Sequence, residues 1–288
     1  MNFEILRDME AFTQKMFNNI IGFQEKEHAA WNEELSFEER IKEIPLHYLI
    51  FSNADRDPEI HGPTIAHYYP LQREMALIAQ YANSVSSVPI VVDAHARNGF
   101  IGSLLARENV KVIGLKDVNE KPNQIENFYD KDRYELREST LDKIQFDVDV
   151  VFSSWMPSGA DDTAAIAKIR PKLVVYVFSE HVDENTEQRQ VGVEGAFGEN
   201  LPPNYKLIDE WTVTRQKDLL REVWPDLTGS IEETRIVRIY ADEAWHNLSC
   251  EQAYDPALSY AWEHDLLVTE TAYQAKMDMV ARGFPVNV

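Results

Sequence analysis

Val88-Pro-Ile-Val-Val-Asp-Ala-His-Ala-Arg-Asn-Gly-Phe-Ile-Gly-Ser-Leu-Leu-Ala-Arg-Glu108, continued by Asn109-Val-Lys-Val-Ile-Gly-Leu-Lys-Asp117, is the stretch that decides the fold. Ile90 to Val92 is a β-branched run with nothing polar inside it, the pattern of a strand buried on both faces. Asp93 ends that strand and a turn of small residues follows. From Phe100 to Arg107 the apolar residues Ile101, Leu104 and Leu105 fall at helical spacing. Val110 to Leu115 is a second strand, at the separation a parallel βαβ unit requires. In such a unit the turn after the first strand and the tip of the second face one crevice, where nucleotide-like ligands bind.

The turn is not the one a dinucleotide needs. Gly-x-Gly-x-x-Gly lets the backbone approach a pyrophosphate and offer it helix N-terminal amides. Here Gly99 is the only early glycine, Gly102 already belongs to the helix, and His95, Ala96 and Arg97 stand where glycines are expected.

Working outward, the composition sets bounds. The 288 residues are 44% apolar, enough for a sizeable core. A formal charge of −21, with lysines and arginines scattered singly or in pairs, repels phosphate backbones and argues against nucleic acid as a partner. The single cysteine, Cys250, excludes an internal disulfide and a cysteine-rich zinc site, and is compatible with a reducing cytoplasm, the expected location. No apolar run approaches membrane-spanning length, and the first residues lack the pattern of a signal peptide. The eight histidines are dispersed, so no metal is expected. Neither a Gly-x-Ser-x-Gly elbow nor a Walker sequence is present.

Residues 1 to about 45 are helical in pattern, with Phe3, Ile5, Leu6, Met9, Phe12, Met16 and Ile20 on one broad face, and Ser36 with Glu39 reads as a capping box. Asn53 to Pro63 is a loop, and the segment from His67 leads into a helix before the first strand. Beyond Asp117 come a polar loop, a short helix over Gln124 to Tyr129, and a third strand over Tyr134 to Arg137. The run from Phe146 holds a fourth strand, Asp161 to Ile169 a helix, and Lys172 to Ser179 a fifth strand, almost wholly apolar and so central. A polar loop to Asn200 precedes two further strands, Tyr205 to Thr214 and Thr234 to Ala241, joined by a segment containing Trp224-Pro225. Residues 244 to 288 return to helical patterning.

The apolar strand followed by Asp93-Ala-His-Ala-Arg-Asn-Gly99-Phe resembles motif I of the class I S-adenosylmethionine-dependent methyltransferases, Asp/Glu-x-Gly-x-Gly-x-Gly. Asp93 and Gly99 match and the two intervening glycines do not. The resemblance spans roughly residues 70 to 241. It implies an α/β, Rossmann-like methyltransferase fold, a mostly parallel seven-stranded sheet whose last strand is antiparallel, with helical additions at both ends. The corresponding domains are an N-terminal extension over 1–70, a core over 71–243 and a C-terminal segment over 244–288. In this family the segment ahead of the first strand covers the cofactor or the substrate, which makes the extension a candidate lid; packing on the sheet is the equal alternative.

The resemblance also implies roles. S-adenosylmethionine would be the cofactor, with Asp93 near its methionine portion and Ala94, His95, Ala96, Asn98 and Gly99 lining it through their backbone. Asp117, 24 residues after Asp93, would accept from the ribose hydroxyls, although the family's acid stands at the strand tip, where this chain has Lys116. Glu138 and Ser139, with Thr140, occupy the adenine-contacting segment. Ser153, at the end of the fourth strand, would also border the cofactor, and Ser153-Ser154-Trp155-Met-Pro157 stands where the family keeps its substrate contacts; serines replace the acceptor of the Asp/Asn-Pro-Pro-Tyr/Phe site of amino-group methyltransferases, which disfavours base methylation. Ser154, Trp155 and His181 are the catalytic candidates, His181 as a proton acceptor after the fifth strand. His95 either contacts the ligand or blocks it. The expected activity is methyl transfer to a small molecule or a protein side chain. Two rivals stay open, a non-catalytic methyltransferase-like binding protein and an NAD(P)-dependent oxidoreductase; oligomeric state is not legible.

Overall fold

A computed structural model of the chain describes residues 8–45, 65–119, 123–182, 187, 189–214, 234–251 and 258–283. Phe3, Ile5, Leu6, the loop Asn53 to Pro63 and Trp224-Pro225 lie outside the described residues. The described residues form two compact units, one from those before 72 and from 258 onward, the other from 72 to 251. No helix among the described residues is long and apolar enough to cross a membrane.

In the first unit, α1 (Met9–Gln24) buries Met16, Ile20 and Phe23 along one face. His28 Nδ1 accepts from the Ala30 amide at 3.0 Å and its Nε2–H donates to the Glu43 carbonyl at 3.1 Å, so a neutral imidazole ties the chain after α1 to a distant turn. Burial lowers the His28 pKa, outweighing those carbonyl contacts. Ser36 and Glu39 close a reciprocal capping box on α2 (Phe37–Arg40). Trp262 at the start of the long C-terminal helix, which spans Ala261–Ala281, packs on Tyr260 and Tyr69 with ring centroids 4.4 and 5.9 Å away.

The second unit is a sheet flanked by helices. In chain order it contains α3 (Gln72–Val85), β1 (Ile90–Asp93), α4 (Phe100–Ala106), β2 (Lys111–Lys116), β3 (Tyr134–Glu138), β4 (Val150–Ser154), α5 (Thr163–Ile169), β5 (Leu173–Ser179), β6 (Tyr205–Thr214) and β7 (Thr234–Asp242). The C-terminal helix of the first unit is thus α6. The strand order is β3-β2-β1-β4-β5-β7-β6. The first five strands pair in parallel, and β7 runs antiparallel to both β5 and β6. Every residue of β4 and β5 is buried, because Val-Val-Phe and Leu-Val-Val-Tyr-Val-Phe offer no polar face to water. In β7 burial alternates with period two, as the half-exposed end of a sheet requires.

The expected short helix over Gln124 to Tyr129 is absent; this segment is irregular. The reason is local. Asn123 Oδ1 accepts from the Ile125 amide at 3.1 Å, Asn127 takes a left-handed φ of 49°, and the Phe128 amide donates to the Asn98 carbonyl at 2.8 Å. Backbone groups that would close helical turns are spent on tying this segment to the β1 turn.

Candidate functional site

The order of the sheet reverses between β1 and β4. The chain builds outward from β1 to β3, then crosses back to lay β4 on the other side of β1. Ligands of open α/β sheets bind beyond the carboxyl ends of the strands at such a point. Asp93 closes β1 there, and Ser153 and Ser154 close β4.

The β1 turn keeps a glycine-like backbone without most of the glycines. Arg97 takes φ 51° and Gly99, the residue that caps α4, takes φ 88°. Three of its amides, however, serve the fold. The Ala94 amide donates to Phe152 at 2.9 Å, Ala96 to Leu115 at 3.0 Å and Gly99 to Ala96 at 2.7 Å. Asn98, 3% exposed, donates from Nδ2 to the Ile125 carbonyl at 3.0 Å. On the far side of the crevice Trp155 also adopts a left-handed φ, 54°, and Arg97 donates to its carbonyl at 3.4 Å. Two strained non-glycine residues thus meet across the reversal point, and strain of this kind gathers at functional sites.

Asp93 is sealed in, 1% exposed, and its Oδ2 accepts from the Tyr134 hydroxyl at 3.0 Å. The Tyr134 ring lies in a slot left by two missing side chains. A Cβ on Gly102 would stand 2.3 Å from Tyr134 Cε2, and one on Gly114 would stand 1.7 Å from its hydroxyl. Burial, then the adjacent Asp93 carboxylate, push the Tyr134 phenol well above its ordinary pKa, so it stays a donor at neutral pH.

The polar hub of the crevice is Asp162, just ahead of α5. Its Oδ2 accepts from Ser153 Oγ at 2.7 Å and from His95 Nε2 at 2.9 Å. Burial alone would raise its pKa, yet the His95 and Ser153 contacts prevail and hold the carboxyl below the usual range. It is therefore an anion at neutral pH. Its Oδ1 has no hydrogen bond among the described residues and is not sealed from solvent; His95 Nδ1 is open in the same way. Beside Ser153 in the sheet register lies Tyr176, whose hydroxyl is sealed and has no partner among the described residues. Burial, followed by the charges of Asp162 and Asp161, raises its phenol pKa.

The remaining candidates are spread along the same edge. Asp117 lies one residue past β2 and accepts through Oδ1 from the Asn119 amide and side chain, at 2.9 and 3.0 Å. Lys116, at the strand tip, is ion-paired with Glu126 at 2.5 Å. Glu138 ends β3 exposed, while the Ser139 amide donates to the Lys116 carbonyl at 3.1 Å. Strand alternation sends Ser154 to the face opposite Ser153. Trp155 is 3% exposed and its amide donates to Val177 at 2.8 Å. The His181 ring makes no hydrogen bond among the described residues; its backbone amide donates to Ser179 Oγ at 3.1 Å.

Sequence reasoning missed Asp162, Tyr134 and Glu126. Only Asp162 carried any signal, a position just before a helix where an acid is ordinarily read as a cap; its side chain makes no capping hydrogen bond. Among the described residues no group of three or more His, Cys, Asp or Glu side chains could hold a metal ion.

No family model and no curated protein matches the chain. Among solved structures it is similar to a putative RNA methyltransferase from Pyrococcus horikoshii, with 11% identity, TM-score 0.40 and coverage of 67% of this chain and 91% of that one. It is similar also to 1,6-didemethyltoxoflavin-N1-methyltransferase from Burkholderia thailandensis, solved with S-adenosylhomocysteine, at 12% identity, TM-score 0.38 and coverage of 59% and 77%. A putative methyltransferase from Bacillus halodurans gives 9% identity, TM-score 0.42 and coverage of 59% and 98%. These are likenesses of fold at most, and the architecture rests on the chain's own strand order. With β3-β2-β1-β4-β5-β7-β6 and only β7 reversed, the chain has the Rossmann-like fold of the class I methyltransferases.

Proposed function

We propose that the crevice beyond β1, β2 and β4 binds S-adenosylmethionine and that the protein transfers its methyl group to a nucleophile on a small molecule or a protein side chain. The observation that carries this reading is Asp162, an ionised, nearly buried carboxylate at the reversal point of the sheet with one oxygen unbonded among the described residues and not sealed from solvent. A buried anion with a free lone-pair edge suits a cationic ligand.

The donor set fits such a cofactor. Asp162 Oδ1 would face its cationic portion, and Asp117 and Ser139, at the tips of β2 and β3, would hold the nucleoside. The amino-acid portion would be held by the side chains of the β1 turn, because the Ala94, Ala96 and Gly99 amides are committed to the fold. When bound, the cofactor supplies an electrophilic methyl group on a positively charged sulfur. Ser154, Trp155 and His181 flank the acceptor's side of the same edge. Their work is to orient a nucleophile in line and exclude water, which is most of what such a transfer needs. The charge of −21 disfavours a nucleic-acid acceptor.

A second reading has its own support. The committed turn amides and the Lys116–Glu126 pair at the β2 tip favour a non-catalytic binding protein built on the same fold. Calorimetric titration of the full chain with S-adenosylmethionine and S-adenosylhomocysteine separates the two. The methyltransferase reading expects a Kd on the order of micromolar for either ligand, weakened at least tenfold in Asp162→Ala. Absence of heat and of any thermal shift with both ligands would sink it.

A further inference from the structure

We propose that His95, held by Asp162, is the general base of the crevice and that the methyl acceptor is a neutral hydroxyl group, an alcohol or a phenol. This rests on the methyltransferase reading above and adds to it the proton acceptor and the acceptor's class.

The argument starts from one hydrogen bond. His95 Nε2 lies 2.9 Å from Asp162 Oδ2, and the same oxygen accepts from Ser153 Oγ at 2.7 Å. An ionised carboxylate only accepts, so Nε2 carries the imidazole proton and the lone pair of a neutral ring resides on Nδ1. Nδ1 makes no hydrogen bond among the described residues and is not sealed from solvent, while the side chain as a whole is only 15% exposed. A basic nitrogen thus stays open beside the reversal point, with its tautomer set by a buried acid. A second donor helps fix the acid in turn: Ser153, wholly buried, donates to the same Asp162 oxygen that His95 contacts. His95 sits where motif I ordinarily has a glycine, so the imidazole occupies space that the backbone approach would otherwise use.

The acceptor class follows from what such a base is for. An amine reaches a site with its lone pair already available from the neutral fraction in solution. A hydroxyl does not exist as its anion at neutral pH and must lose its proton as the new bond forms. In the step proposed, His95 Nδ1 takes the hydroxyl proton while the oxygen lone pair forms the O–C bond to the methyl carbon. Bound S-adenosylmethionine would supply that methyl group, its C–S bond breaking with the electron pair going to sulfur, which would leave as a neutral thioether. The imidazolium formed is balanced by Asp162, and its proton then passes to water. Asp162 and Ser153 are positioning residues; His95 is the residue that takes the proton. The titratable group in contact with the base is Asp162, whose charge together with that of Asp161 also acts on Tyr176, and Arg97 lies two residues along the turn.

The test has two parts on the full chain. Nitrogen NMR of the imidazoles at pH 8 is expected to find His95 protonated on Nε2 and bare on Nδ1, a preference lost in Asp162→Asn; protonation on Nδ1 in the native protein overturns the proposal whether or not a cofactor binds. The protein saturated with S-adenosylmethionine is then offered phenol and catechol as hydroxyl probes and aniline and benzylamine as nitrogen probes, with S-adenosylhomocysteine as the readout. Turnover is expected with the hydroxyl probes, rising with pH through a single deprotonation. In His95→Gln that limb disappears and kcat at saturating cofactor falls about 10²- to 10⁴-fold; in Asp162→Asn the limb moves. Turnover of nitrogen probes alone, turnover of none, or an unchanged pH profile in His95→Gln each overturns the proposal. Failure to bind S-adenosylmethionine is a separate result, read by calorimetry, and overturns the parent reading.

Discussion

Replacing Gly114 by alanine tests the packing that fixes Asp93. Gly114 lies inside β2, opposite Asp93 on β1 and Leu136 on β3. A methyl group there would stand 1.7 Å from the Tyr134 hydroxyl, 2.4 Å from its Cζ and 2.8 Å from Ala96 Cβ, so something must move. The ring cannot retreat toward α4, because Gly102 already lies as close on that side, and Tyr134 is only 3% exposed. Overpacking of this kind costs about 1–3 kcal/mol. Swinging the hydroxyl away also forfeits its hydrogen bond to the Asp93 carboxylate, about 1.5–3 kcal/mol for a bond to a charged acceptor. Against this, alanine relieves roughly 0.5–1 kcal/mol of glycine's backbone entropy cost in a strand. The net expectation is a loss of about 2–5 kcal/mol, equivalent to a Tm lowered by roughly 5–15 °C for a unit of this size. Urea unfolding followed by circular dichroism measures it directly. Tyr134→Leu, whose side chain ends before Cζ, supplies the control: in that background the Gly114→Ala cost is expected to fall to about 1 kcal/mol or less, a coupling of the size seen between contacting residues. A Gly114→Ala protein as stable as the native one, or a cost unchanged by Tyr134→Leu, would refute the slot.

Two further outcomes follow from other parts of the structure. Burial lowers the His28 pKa, so the neutral ring stabilises the first unit fully above its unfolded pKa of about 6.5 and that contribution is lost as pH falls through the folded value; Trp31 fluorescence during unfolding at pH 7 and pH 5 should report a stability loss that His28→Gln abolishes. Glu74 and Arg235, 2% and 3% exposed, form a buried ion pair in the second unit; Glu74→Gln should cost about 3–5 kcal/mol, whereas Glu74→Leu with Arg235→Met together should recover most of it, and equal losses in both variants would contradict an uncompensated charge as the cause.

Much of the architecture was legible in the sequence because hydrophobic periodicity is a local property. Val150 to Ser154 and Leu173 to Ser179 read as buried strands since each lacks a polar face, and β6 was placed at Tyr205 to Thr214 as observed. Ser36 and Glu39 could be paired from spacing alone, the capping box being an interaction between residues three apart. The segment after Asn123 misled for the opposite reason: its residues are compatible with a short helix, and a tertiary bond from Phe128 to Asn98 chose otherwise.

The site divides in the same way. Asp93, His95 and Gly99 could be singled out because a strand–turn–helix signature is contiguous, and the sequence alone determined that a ligand-type turn stands at the end of a buried parallel strand. It could not determine what that turn had become. Only the tertiary structure decided that Tyr134 fills the space of two absent side chains, that the Ala94, Ala96 and Gly99 amides are consumed by the fold, and that His95 meets Asp162 across 67 residues of chain. The physical reason is that apolar patterning records which residues leave water, whereas the meeting of polar side chains depends on the crossover that returns the chain from β3 to the far side of β1, and on partners that no local period can specify.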